Sequence, residues 1–438
     1  MPSTVIALAT PPVPSALAVI RMTGSLSHQV CLQLSGDRIA PGQIAYRVLK
    51  HEGEVLDDVV VSVWKAPASY TGEDMVEFSC HGNMLIVDRI IAACCAAGAE
   101  PAAPGEFTRR AYLNGKMDLT QAEAISELIH ARSERALKAV RHFQQGAFGT
   151  RLGRLRESLL QILSHLEAYI DFPDEDISPE TGQQMLNQAQ AVQEQLVAYL
   201  KSAQTGKFLR NGATIVLAGV PNAGKSSLMN ALLEEERVLV SDQPGTTRDT
   251  VDAEFQIGGF PCFLTDTAGL RESHETIEQM GIERTRQSLR QADVILHLID
   301  GSQANPDQVM HFPETEIPVI RIITKSDLKL CPGLDGLPVS STEGSGLEAL
   351  KCEILNVLKL NDQTDMSDSL AINARHTFHL QQAQQHMERA LENLQADEVP
   401  EICSSDLRAA LFSLAEIVGE TSNEDILDRL FQNFCIGK

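Results

Sequence analysis

Gly219-Val-Pro-Asn-Ala-Gly-Lys-Ser-Ser227 is the stretch that decides how this chain is read. The apolar, β-type run Ala213-Thr-Ile-Val-Leu-Ala218 precedes it, and the helical pattern Ser227-Leu-Met-Asn-Ala-Leu-Leu233 follows. Strand, Gly-rich loop and helix in that order make a phosphate cradle. Successive backbone N–H groups wrap the phosphates and the helix N-terminus adds a favourable dipole. Gly224 lets the backbone approach closely, Lys225 reaches the β/γ-phosphates and Ser226 is placed to ligate Mg²⁺, with Asn222, Ala223 and Ser227 completing the loop.

Four further elements follow in fixed order. In Gly245-Thr-Thr-Arg-Asp249, Thr247 stands where a switch-loop threonine completes Mg²⁺ coordination when a γ-phosphate is present, and Ser241, Asp242, Gln243, Pro244 and Thr246 are counted with the nucleotide-binding residues. Asp266-Thr-Ala-Gly269 ends a strand: Asp266 takes the outer magnesium position, and beyond Thr267 and Ala268 the Gly269 N–H can meet the γ-phosphate. In Thr324-Lys-Ser-Asp327, Asp327 is placed to accept from guanine N1–H and its exocyclic amine, the Lys325 stem can lie along the base, and Ser326 lies between them. Ser340-Ser-Thr342, with Ser341 at its centre, could reach the guanine carbonyl. Together these elements read as a GTPase. Thr324 departs from the usual Asn-Lys-x-Asp, so looser anchoring of the base loop is expected. Leu270 stands where many small GTPases carry a water-orienting Gln, so another group must position water and another cation must neutralise transition-state charge. Glu275 and Glu278 are the local carboxylates available.

The 438 residues suggest two or three domains, and 43% apolar with 22% charged residues is an ordinary globular composition. Lys+Arg 36 against Asp+Glu 59 gives a net charge of −23. Such a field opposes non-specific wrapping of nucleic acid, but leaves room for RNA held by a local patch or by a partner. No run approaches the ~18 apolar residues of a membrane span, and no charged n-region opens the chain. Nine scattered cysteines without a C-x-x-C pair suggest neither a zinc module nor a disulfide framework. A cytoplasmic location with reduced thiols and no membrane partner is therefore expected.

Residues 1–118 alternate short β-type and helical runs, with strands expected at Val5–Ala9, Ala16–Ile20 and Val59–Trp64 and a helix from Met84 to Ala97. Glu77 and His81, read alone, are surface or satisfied polar residues sooner than catalysts. From Leu119 the pattern turns helical as far as about residue 203, broken by Asp171-Phe-Pro-Asp-Glu-Asp176. Arg132, Arg135, Lys138 and Arg141 could contact phosphate, although a solvated helix face is the commoner meaning of such a pattern. Residues 211–361 form an α/β unit with strands expected at 213–218, 251–257, 260–265, 294–299, 318–323 and 338–340. Gly258-Gly259 reads as the turn of an antiparallel hairpin in an otherwise parallel sheet. Residues 362–438 are helical again after a polar linker, with Leu407, Leu411, Leu414 and Val418 on one face. Each flanking helical block lacks a core of its own, so the α/β unit is expected to be an insertion in one helical domain spanning 119–210 and 362–438.

Pieces along the whole chain resemble the MnmE (TrmE) family of tRNA-modification GTPases. They are Ile20-Arg-Met-Thr-Gly24, Tyr70-Thr-Gly-Glu-Asp74, Pro104-Gly-Glu-Phe-Thr-Arg-Arg110, Leu113-Asn-Gly-Lys-Met-Asp118, Tyr169-Ile-Asp-Phe172, Gly219–Ser227, Asp266–Arg271 and the terminal Cys435-Ile-Gly-Lys438. The resemblance implies an N-terminal α+β folate-binding and dimerisation domain, a discontinuous helical domain and an inserted Ras-like P-loop G domain. It implies a homodimer and an FAD-dependent partner, MnmG, in a heterotetramer that acts on tRNA. Their joint product would be aminomethyl or carboxymethylaminomethyl groups at C5 of wobble uridine, with the methylene drawn from 5-formyl- or methylene-tetrahydrofolate. By position, Arg21, Glu77, Lys116 and Lys438 match folate-binding residues, and Cys435 matches a terminal cysteine required for modification. The resemblance also implies K⁺ in the arginine-finger role, held by Asn222, Ser241, Gln243 (main chain) and Thr246, with Glu278 positioning water. Two other roles stay open from the residues alone: a regulatory switch in ribosome assembly, and a GTP-controlled scaffold without one-carbon chemistry.

Overall fold

The computed structural model describes residues 3–171, 179–235, 253–266, 289–303, 317–360, 372–396, 400–420, 424–432 and 434–437. The expectations for 241–247, 267–269, 275, 278 and 438 lie outside those residues, as does the side chain of Asp266. The chain divides into two compact units, one of Met1–Ile129, Phe143–Ala189 and Gln385–Lys438, the other of His130–His142 and Gln190–Gln384.

In the first unit, period-two alternation of apolar residues produces β1 (Val5–Leu8), β2 (Ser15–Thr23), β3 (Ile44–His51), β4 (Glu54–Trp64) and β5 (Met75–Gly82), with the short β6 (Glu100–Pro101). They form one sheet in the order β3-β4-β5-β2-β1-β6, antiparallel except for β1 beside β6. Ala18, Ile20, Met22, Val61, Val76 and Phe78 bury one face with Val30, Leu34, Val87 and Ile90 of α1 (Ser27–Ser35) and α2 (Met84–Ala96). The same alternation turns Arg21 and Glu77 to the other face, where the register sets them side by side. Asn83 caps α2 by accepting from the Leu85 N–H.

Beyond α3 (Glu106–Leu113) come α4 (Leu119–His130), α5 (Glu134–Gln144), α6 (Ala147–Asp171) and α7 (Pro179–Asn211), so α6 ends where the acidic, proline-containing break was expected. The second unit then holds β7 (Ala213–Ala218), α8 (Lys225–Glu235), β8 (Ala253–Ile257), β9 (Phe260–Asp266), β10 (Val294–Asp300), β11 (Val319–Thr324), β12 (Leu337–Pro338) and α9 (Leu347–Val357). Sheet order is β12-β11-β10-β7-β9-β8. All neighbours are parallel except the β8–β9 hairpin, whose two-residue turn needs the positive φ that Gly258 (57°) and Gly259 (80°) adopt without Cβ strain. Every residue of β10 is buried, as a central parallel strand covered on both faces requires. The last strand ends earlier than expected. Ser340 turns its N–H to Ser345 O and its hydroxyl to Asp327, which takes it out of the ladder.

Arg132 and Arg135, before and on α5, are neither a solvated face nor free for phosphate. Arg132 pairs with Glu254 at 2.8 Å with its guanidinium 5.3 Å from the Phe263 ring, and Arg135 lies 4.3 Å over Phe260 and donates to Gly258 O. Flat guanidiniums cover the aromatic face of the hairpin, while Lys138 and Arg141 stay exposed.

The chain closes with α10 (Ala374–Gln395), α11 (Pro400–Val418) and α12 (Glu424–Phe431). α11 packs on α6, joining the helical stretches from both sides of the P-loop unit. Its buried stripe runs through Cys403, Leu407, Ala410, Leu414 and Ile417, with Leu411 and Val418 only partly covered at its flank. The true stripe alternates small and large residues, which large-residue spacing alone does not reveal.

Candidate nucleotide and one-carbon sites

β7 lies between β9 and β10, so the chain winds one way from it through β9 and the other through β10 and β11. The carboxyl end of such a strand is where an α/β sheet opens a crevice. The loop Gly219–Gly224 sits there and runs into α8. A Cβ on Gly219 would stand 2.7 Å from Leu298 O, and Gly224 has φ 92°, so both positions require glycine. Asn222 takes φ 64°, a conformation asparagine tolerates. Ala223 is buried; Lys225 is 5% exposed and donates to Gly219 O and Val220 O at 3.0 Å each. Ser226 and Ser227 are exposed on the first turn of α8. Asp266 ends β9 beside Leu217 of β7.

The residues expected on the base side lie on the neighbouring strands. Thr324, 3% exposed at the end of β11, directs its hydroxyl to Ala223 O (2.7 Å) and Ile299 O (3.1 Å), tying this loop to the phosphate loop. Asp327 is exposed and accepts from the Ser340 hydroxyl at 2.7 Å, a bond that holds its carboxyl below the ordinary value and keeps it an acceptor at neutral pH. Ser340 is also 2.9 Å from Thr342 Oγ1; Ser326 N–H donates to Val339 O, and Ser341 is half-buried between them. Sequence reading missed Asp300 at the end of β10. Burial pushes its carboxyl up, but bonds from Lys325 and Ser302 outweigh that and hold it below the ordinary value.

In the first unit Arg21 Nε meets Glu77 Oε1 at 2.7 Å. Both are about one-fifth exposed, and the guanidinium lies 5.5 Å from the Tyr70 ring and 5.7 Å from that of Phe107. Arg21 Nη1 also donates to Gly437 O at 3.2 Å, so the C-terminal tail folds back onto this pair. Lys116 donates to Pro67 O at 3.0 Å and packs against Gly72 of the loop that carries Tyr70. Beneath that loop the buried Arg110 bridges Glu73 and Glu106, and Thr23 and Thr71 share a 2.7 Å hydrogen bond. Cys435 is exposed, and its carbonyl accepts from the Gly105 N–H. His81 pairs with Asp57 at 2.8 Å, a satisfied polar residue as the sequence suggested.

None of the nine cysteines is in a disulfide. Among the described residues no helix is long and apolar enough to cross a membrane, and no His/Cys/Asp/Glu group could hold a metal ion.

A family model described as the MnmE helical domain matches residues 119–435, and one described as the GTP-binding protein TrmE N-terminus matches residues 4–116. The chain is 42% identical to the tRNA modification GTPase MnmE of Akkermansia muciniphila and 41% to that of Aquifex aeolicus, each over 99% of both chains. Among solved structures, the G domain of the T. maritima FeoB iron transporter is 28% identical, covering 33% of this chain and 98% of that one, with a TM-score of 0.24. That score adds nothing to the assignment, which rests on end-to-end sequence identity and on two family models that between them cover nearly the whole chain. On those grounds the chain belongs to the MnmE family.

Proposed function

We propose that this GTPase cycles GTP to drive the addition of aminomethyl or carboxymethylaminomethyl groups at C5 of wobble uridine in tRNA, working as a homodimer with the FAD-dependent partner MnmG. GTP hydrolysis in tRNA modification follows from family membership; the specific chemistry is the proposal. The observation that carries it is the hydrogen bond from Arg21 to Gly437 O, which joins the terminal Cys-Ile-Gly-Lys motif to the Arg21–Glu77 pair. In this reading residues 1–118 bind reduced folate and dimerise, 119–210 and 362–438 form one helical domain, and 211–361 form the G domain.

The residues present suit the groups that such chemistry needs. A carboxylate held by Arg21 beside the rings of Tyr70 and Phe107 fits a flat heterocycle rich in N–H donors. Arg21, Glu77, Lys116 and Lys438 would hold the folate, which supplies a one-carbon unit when bound. On the nucleotide side, Ser226 with Thr247 would ligate Mg²⁺. Asn222, Ser241, Gln243 and Thr246 would hold K⁺, which supplies the positive charge an arginine finger brings elsewhere. Glu278 would orient the attacking water, and Cys435 would serve the modification step.

Mass analysis of tRNA nucleosides tests the reading, using cells that lack this gene and carry either wild type or Cys435→Ser. C5-modified wobble uridine should return with wild type alone. Unchanged uridines throughout would leave a ribosome-assembly switch or a GTP-controlled scaffold. GTP turnover should be faster in KCl than in NaCl; equal rates would remove K⁺ from the mechanism.

A further inference from the structure

The base-reading loop is fastened by a residue outside its motif. β10 and β11 are parallel neighbours whose register sets Asp300 beside Thr324. The Asp300 side chain is 5% exposed, and its Oδ2 lies 2.6 Å from Lys325 Nζ. Its Oδ1 accepts from the Ser302 N–H at 3.0 Å and the Ser302 hydroxyl at 2.6 Å, so the carboxylate has one orientation available. Lys325 stands at φ 58°, a left-handed conformation unusual for a non-glycine residue and kept only where the surroundings enforce it. At the motif's first position, the Thr324 hydroxyl divides one proton between Ala223 O and Ile299 O. An asparagine there would bring two amide donors and an acceptor.

We propose that Asp300, oriented by Ser302, is a positioning residue for recognition of the nucleotide base. It holds Lys325 so that the lysine stem lies along the purine, and thereby takes over anchoring that an asparagine at position 324 would supply. The inference rests on reading Asp327 as the carboxylate that recognises guanine. An ion pair with one buried partner could instead serve stability alone, and the two roles part in steady-state kinetics.

The test uses the full-length protein, GTP turnover and binding of fluorescently labelled GDP. Asp300→Asn should raise KM for GTP and Kd for GDP about tenfold, the loss of one charge-assisted hydrogen bond, with kcat changed by less than about twofold. Ser302→Ala, which frees the carboxylate without removing it, should raise both about threefold. In a Thr324→Asn background the cost of Asp300→Asn should shrink to about threefold or less, since the two residues share one task. An unchanged KM, a loss confined to kcat, or an equal cost in both backgrounds would overturn the proposal. Should Asp300→Asn fail to fold, Ser302→Ala in the two backgrounds decides it by the same criteria. Asp327→Asn checks the reading underneath, because an amide donates to the C2 carbonyl of xanthine and should move preference from GTP to XTP. If that preference stays with GTP, the base assignment fails; if it moves while Asp300→Asn keeps the wild-type KM, this inference alone fails.

Discussion

Replacing Gly437 with alanine should release the C-terminal tail while leaving the rest of the protein folded. Gly437 sits at φ 91°, and a Cβ there would stand 2.2 Å from Leu8 O and 2.8 Å from the Ala9 Cα, backbone atoms at and just beyond the end of β1. A left-handed alanine costs about 1–2 kcal/mol before any contact is counted. The overlap cannot be relieved by rotating a side chain, because both opposing atoms are main chain. Against this, the last turn is held chiefly by the charged hydrogen bond from Arg21 to Gly437 O, a type worth about 1.5–3 kcal/mol, and Ile436 beside it is exposed. The balance favours detachment from Cys435 onward. Phe431 and Phe434, packed with Leu119 and Leu427, anchor the segment before it. Tm should therefore fall by no more than about 3–12 °C, the shift that losing about 1.5–3 kcal/mol makes in a domain of 150–250 residues. Hydrogen exchange at 435–437 should rise at least about tenfold, the equivalent of 1.4 kcal/mol of lost protection. GTP turnover should be retained and modified wobble uridine lost. Gly42→Ala is the control, since Gly42 also has positive φ, 82°, but a Cβ there would meet nothing within 4 Å. It should carry the backbone cost and keep the modification. Wild-type exchange at the tail together with full modification in Gly437→Ala would refute the reasoning.

Three further outcomes follow from other contacts. Arg135→Ala removes a guanidinium 4.3 Å over Phe260 and its hydrogen bond to Gly258 O, and should lower stability by about 1–2 kcal/mol in urea unfolding. The hydrogen bond to Asp57 raises the His81 pKa above its ordinary value; a raised folded value means added stability below about pH 6.5, lost as pH rises through the folded pKa. His81→Gln should therefore be less stable than wild type at about pH 5.5 and equal to it at about pH 9, as thermal melts at both will check. Burial pushes the Cys31 and Cys80 thiols up to about 11 and that of Cys94 to about 12, so a thiol reagent at about pH 8 should label the exposed Cys352 and Cys435 well before these three.

The parts legible in the sequence were those whose physics is local. A phosphate loop is defined by a strand, two glycines and a helix start within a dozen or so residues, and the Gly258-Gly259 turn by its own backbone needs, so both stood in the chain as in the fold. Pairings between distant residues were not legible. Arg132 and Arg135 looked like a charged helix face because Glu254, Phe260 and Phe263, which cover them, arrive more than a hundred residues later. Arg21 was named, and Glu77 given a binding role, only by resemblance, since their contact depends on the β2–β5 register. Asp300 shows the limit most clearly: an aspartate closing an apolar strand is an ordinary event, and nothing adjacent marks it. What singles it out is sheet order, because two parallel neighbours bring their carboxyl ends to one edge, and an acidic residue ending β10 must then stand beside whatever ends β11. Setting the last residue of β10 against that of β11 places Asp300 beside Thr324 and so next to Lys325. The same rule explains why Thr324 reaches the phosphate loop at Ala223, since β7 ends on the other side of β10. Departures inside a motif are thus best read against the adjoining strand ends, where the compensating group has to be.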